Sequence, residues 1–155
     1  MLLLELEITG DEATRRSLEG IVRATRGDRL REPWERAVDL ISMAVWNYAP
    51  YWRGELRASI AEEVIVEGDE IAGVVYSDLF FAPFQERGTA PYWPNVEALW
   101  AWADAHDISP YLVARAIANR GLLPLKFFER ALTENENEVW ALIDNAIAEI
   151  IEAEY

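Results

Sequence analysis

Gly54-Glu55-Leu56-Arg57-Ala58-Ser59-Ile60-Ala61-Glu62-Glu63-Val64-Ile65-Val66-Glu67-Gly68-Asp69-Glu70-Ile71-Ala72-Gly73-Val74-Val75-Tyr76-Ser77 is the stretch on which the fold turns. Leu56, Ala58, Ile60, Val64 and Val66 fall on one parity, with Arg57, Ser59, Ala61 and Glu63 on the other. Only Glu62 breaks this period of two, which predicts a long half-buried strand from Leu56. Glu67-Gly68-Asp69-Glu70 supplies a turn, and the β-branched run Ile71 to Ser77 returns as its partner. Residues 56–77 therefore read as a β-hairpin.

Outward from the hairpin the period changes. Upstream, Trp34, Val38, Ile41, Val45 and Tyr48 recur at three to four residues, with Pro33 suited to a first helical turn and Pro50 to a stop. Ahead of that helix, Leu2, Leu4 and Leu6 alternate before Thr9-Gly10, as in a short strand and turn. Asp11 then fits an N-cap for a helix carrying Leu18, Ile21 and Val22 and ending at Gly27. Downstream, Phe81 to Glu86 reads as a second short extended piece. Pro94 and Ser109-Pro110 start two helices, the first carrying Val96, Leu99, Trp100 and Ala103 and the second Leu112, Val113, Ala116 and Ile117, with Gly121 as the stop. The last helix runs from about Leu125 to Ala153, and Thr133 with Glu136 could cap a break near Leu132. The expected fold class is α+β. A small, largely antiparallel sheet is packed by two N-terminal helices and a long C-terminal helix, with a helical pair inserted at about 92–121 into a single domain over 1–155.

Composition closes several doors. The chain has 155 residues, 28 Asp and Glu against 14 Lys and Arg, one His and no Cys, for a formal charge of −14. A chain of ~150 residues buries roughly 70% of its unfolded surface, enough for a true core. At 52% hydrophobic and 12% aromatic it is too apolar for a disordered acidic tail. Without cysteine there is no disulfide frame, thiolate nucleophile or cysteine-bound zinc. The charge argues against gripping phosphate backbones, which takes Lys and Arg. Met1-Leu2-Leu3-Leu4-Glu5 is too short, and lacks the preceding basic residue, for a signal peptide or membrane span.

Catalytic patterns were sought residue by residue. His106 lies between Asp104 and Asp107, where carboxylates would favour its charged form and invite a metal or acid-base role, but the better reading is a helix C-terminus, whose dipole stabilises a cation. None of the five serines sits in a nucleophile elbow, and Lys126, the one lysine, reads as a solvated helix end. One His cannot supply the paired ligands of most transition-metal sites, although an all-carboxylate magnesium site stays open. No phosphate loop appears. No enzyme activity, catalytic residue, cofactor or metal is expected. Tyr92, Trp93, Trp100 and Trp102 suit a core or subunit interface better than a sugar-stacking platform.

One constellation is more specific. Ala49-Pro50 at a helix end is followed by Gly54-Glu55-Leu56-Arg57-Ala58-Ser59-Ile60 and the hairpin. Then come Phe81-Ala82-Pro83-Phe84-Gln85-Glu86-Arg87-Gly88-Thr89 and Pro124-Leu125-Lys126-Phe127-Phe128-Glu129-Arg130-Ala131. In this order the chain resembles the tailed-phage neck family of tail-completion, or head-to-tail joining, morphogenesis proteins. That family's pattern is Ala-Pro, Gly-x-Leu-x-x-Ser-Ile, Tyr-Ala-x-x-x-Glu-x-Gly-Thr and Pro-x-x-Phe with a following Ala; Phe81 stands where a Tyr is usual. The resemblance spans most of residues 1–150. It implies a structural virion protein forming a hexameric ring at the head–tail interface, beside the connector and the tail-tube or tail-terminator proteins. DNA would pass through without specific binding. It also implies no membrane, with the protein in the virion neck or tail and, during assembly, in the host cytoplasm.

Under that resemblance Pro50, Gly54, Leu56, Arg57, Ser59, Ile60, Glu86, Gly88, Thr89, Pro124 and Phe128 set fold and ring contacts. On the residues themselves, Glu86 could pair with Arg57 across the sheet or be simply solvated. A closed ring needs two different complementary patches on each copy, and the Trp-rich segment at Trp93 and Trp100, with the hairpin, is the candidate for one. Glu62, Glu63, Glu67, Asp69 and Glu70 are candidates for a channel wall that repels DNA, or else an ordinary solvated turn. Two other readings stay open: an acidic DNA-mimic or inhibitory binding protein, and a carboxylate-dependent metal hydrolase.

Overall fold

A computed structural model describes residues 2–6, 28–68 and 70–152. The expected turn at Thr9-Gly10, the helix expected after Asp11, and Asp69 lie outside the described residues. Strand β1 is Leu2–Leu6, helix α1 Asp28–Tyr48, α2 Glu55–Ala58, β2 Ile60–Glu67, β3 Glu70–Ser77, α3 Ala82–Arg87, α4 Val96–Ala105, α5 Pro110–Arg120 and α6 Phe127–Glu152.

The protein is α+β, and α1 is its middle layer. One side of α1 packs on β2 and β3 and the other on the long helix α6. Sequence explains this position. Leu30, Trp34, Ala37, Val38, Ile41 and Val45 are buried at helical spacing, a stripe wide enough to serve two neighbours. Glu32–Arg36 and Arg31–Glu35 pair one turn apart on the exposed face. From α6, Phe127, Phe128, Ala131, Val139 and Ile143 complete the same apolar cluster. Tyr48 donates its hydroxyl to Glu134, whose carboxyl is held below its ordinary range by that hydrogen bond and by Arg130. Arg130 also lies 4.1 Å over the Tyr48 ring, so the three groups bridge α1 and α6.

The sheet has the order β1-β3-β2 and both pairings are antiparallel. Glu67 faces Glu70 at the end of the ladder, and Gly68 follows β2 with φ 63. Among the described residues β1 pairs with β3 from Gly73 to Ser77, so the distal part of the β2–β3 hairpin extends past Leu6.

Four expectations need correction. The strand does not begin at Leu56, because residues 55–58 form one helical turn. Ala58 N–H bonds to Gly54 O, and Ser59 Oγ donates to Leu56 O at 2.7 Å. Residues 81–86 are not extended either: Pro83 sits in the first turn of α3, where its fixed φ favours a helix. Pro33 lies within α1, which begins five residues ahead of it, in a turn where a missing N–H forfeits a single bond. Helix α6 has no break at Leu132. Thr133 and Asn135 turn their side chains back onto the Glu129 and Ala131 carbonyls, so neither serves as a cap.

Candidate functional site

The motif residues resolve into two clasps. In the first, Leu56 is buried and Arg57 reaches back over the end of α1. Its Nε donates to Ala49 O at 3.0 Å and its Nη2 to Asn47 O at 3.4 Å. The last turn of α1 has no basic residue of its own, so Arg57 brings the positive charge that the C-terminal carbonyls favour. Its guanidinium lies 4.6 Å over the Trp46 ring and 5.4 Å from Tyr51. Beside it, Ser59 Oγ donates to Leu56 O and accepts from the fully buried Ser77 hydroxyl at 2.7 Å, while Ser77 Oγ accepts from Leu79 N–H. The two serines lock the base of the hairpin onto α2 with every polar atom satisfied.

The second clasp corrects the expected Glu86–Arg57 pair. Glu86 is buried, and its two carboxylate oxygens accept the backbone N–H groups of Phe128 and Glu129 at 2.9 and 3.0 Å. It thus caps the start of α6, where unpaired N–H groups and the helix dipole favour an anion. Backbone bonds extend the clasp: Leu125 N–H to Gln85 O, Lys126 N–H to Glu86 O and Thr89 N–H to Leu122 O, with Leu122 N–H donating to Thr89 Oγ1. Gly88 and Gly121 sit face to face with this strand-like seam, at φ 73 and φ 75. A Cβ on Gly121 would overlap Thr89 O, and one on Gly88 would overlap Leu122 O. The Glu-x-Gly-Thr and Pro-x-x-Phe segments are therefore two halves of one structure, which closes the base of the α4–α5 excursion.

That excursion leaves a groove of about 910 Å³ between α3 and the α4–α5 pair. Phe81, Phe84, Tyr92, Trp102, Ile117 and Leu122 are prominent in its lining, and Arg120 is its one charged lining residue among the described residues. Trp93 and Trp100 are exposed, next in sequence to the lining residues Tyr92 and Leu99. An aromatic shelf continues from the groove: His106 stacks on Trp102 at 4.1 Å and lies 5.8 Å from Trp52. Because a carbonyl only accepts, the 2.7 Å contact to Trp102 O places the proton on His106 Nδ1. His106 is the C-cap of α4. Lys126 pairs with Glu129 at 2.9 Å on the surface. Among the described residues no cluster of three or more His, Asp or Glu could hold a metal ion, and no helix is long and apolar enough to cross a membrane.

Glu62, Glu63, Glu67 and Glu70 are all exposed on the hairpin. Pro124 sits in the exposed loop before α6, Phe128 is in the core, and Pro50 and Ile60 are half-buried near the first clasp. Neither the groove nor the Glu86 cap was anticipated. The signal for the groove was the Phe80-Phe81-x-x-Phe84 run, whose partners Tyr92, Trp102 and Ile117 come from other segments.

No protein-family model, curated protein or solved structure matches this chain.

Proposed function

We propose that the chain is a structural ring subunit at the head–tail junction of a tailed phage, acting as a neck or tail-completion protein with six copies around the DNA path. The observation that carries this reading is the apolar surface left uncovered on an otherwise well-packed subunit. Phe80, in the lining of the aromatic groove, is 78% exposed, and Tyr51 is 71%, Trp93 62% and Tyr111 62% exposed. Apolar surface on this scale marks a protein that completes itself by association. The motif order supports the same reading, since the residues shared with the neck family are those that build the two clasps framing this surface.

The charge suits a channel. Six copies at −14 carry −84, and an acidic ring repels the phosphate backbone of DNA instead of holding it. A nonsense mutation in the gene, in its phage, tests the proposal. Filled heads and separate unjoined tails are expected in electron micrographs of the lysate, with joined particles restored by supplying the chain in trans. Normal, infectious tailed virions without the chain would overturn the proposal.

A further inference from the structure

The groove and the acidic hairpin lie at opposite ends of the same pair of strands. At its base, where Ile60 faces Ser77, β3 leads directly into Phe80 and Phe81 of the groove lining. At its tip, Glu67 faces Glu70 after eight residues of strand, roughly 23 Å away at ~3.3 Å per residue. On one copy the two features are thus held apart, yet they complement each other. The groove is aromatic and aliphatic with Arg120 as its one charged lining residue. The hairpin beyond β1 exposes Ile65 and Val66, each 38%, flanked by Glu63, Glu67 and Glu70, with Asp69 in the loop sequence.

The tip also holds an unfavourable arrangement. Glu67 and Glu70 are directly opposed across the ladder, and like charges so placed repel. Among the described residues neither has a cationic partner within salt-bridge distance. An arginine from outside the copy would relieve that repulsion.

From these observations we infer that the acidic tip of the β2–β3 hairpin of one copy seats in the α3–α4–α5 groove of the next, with Ile65 on the aromatic floor and Glu67 and Glu70, on the same face of the hairpin, against Arg120. Such a contact joins two different surfaces, so it is heterologous and propagates in one direction until a ring closes. The inference rests on the ring reading, and it moves the tip acids from the channel wall to the seams between copies. Glu62 and Glu63, nearer the hairpin base, stay outside the seam.

Charge exchange between copies tests it. One variant carries Glu67→Arg with Glu70→Arg, and a second carries Arg120→Glu. Each alone sets like charges together at every seam and should weaken association about tenfold or more, read by sedimentation across a concentration series, with its melting temperature close to the parent's. Mixed one to one, the two variants place an Arg tip in a Glu groove and a Glu tip in an Arg groove. Assemblies of parental size containing both chains in equal amounts are expected. Fold damage cannot produce that rescue. Parental rings that form regardless of both variants, or variants that weaken association without rescue on mixing, overturn the docking and leave the ring reading standing. A parent that stays monomeric at its highest attainable concentration overturns both.

Discussion

The Glu86→Ala protein should melt about 10 °C below the parent, with an unchanged far-ultraviolet helix signature well below the transition. The substitution deprives two backbone N–H groups of their acceptors, and the Phe128 bond is buried. A hydrogen bond to a charged group contributes about 1.5–3 kcal/mol, and a lost helix N-cap alone costs about 0.5–2 kcal/mol. The two oxygens act on adjacent donors, so their effects overlap and the combined loss is roughly 3–4 kcal/mol. For a chain of this size each kcal/mol moves the melting temperature by about 2–4 °C. Glu86→Gln keeps one carbonyl acceptor while turning an amide donor toward the second N–H, and should fall between the two. A solvated Glu86 would instead leave all three proteins with one melting temperature.

Gly121→Ala is expected to cost roughly 2–6 kcal/mol. Two penalties add at this position. The backbone, at φ 75 and ψ −169, occupies a region nearly restricted to glycine, worth about 1–3 kcal/mol of strain for any other residue. The new methyl group also overlaps the Thr89 carbonyl, a backbone atom that cannot swing away, and overpacking of this kind costs about 1–3 kcal/mol. Urea titration should show the loss as a lower midpoint. Hydrogen exchange should show it first at the Leu122 and Thr89 amides, which pair across the seam. A midpoint within error of the parent's would mean that the Thr89–Leu122 seam is absent in solution.

How far the sequence was legible depended on whether a residue's partner lay within its own element. Helix α1 was readable because Trp34, Val38, Ile41 and Val45 repeat with the helical period over several turns. The return strand from Ile71 to Ser77 was readable from its β-rich composition after the turn residue Gly68. Residues 55–58 were misread because a single helical turn is too short to show its period, and Leu56, Ala58 and Ile60 also satisfy alternation. Phe81 to Glu86 was misread because its two aromatic residues, Phe81 and Phe84, suit a strand equally, while Pro83, with its place in the first turn, was the better signal.

Glu86 was the largest miss among the site residues. Its partners are 42 and 43 positions away, and nothing local distinguishes a capping carboxylate from a solvated one. The groove was illegible for the same reason, since its wall is assembled from α3, the Tyr92 loop, α4 and α5. Single apolar residues on those segments look ordinary until the fold gathers them. Arg57 was singled out in the sequence, but its partner is the end of α1 and not a carboxylate on the sheet.

The proposed head-to-tail ring is tested most sharply by electron microscopy of the purified protein over rising concentration, with the particle mass measured in parallel. Monomers should give way to one class of closed ring, six-fold in projection and six times the 17.7 kDa subunit in mass, with few open intermediates. A two-fold dimer as the end point, or monomers throughout, would contradict it.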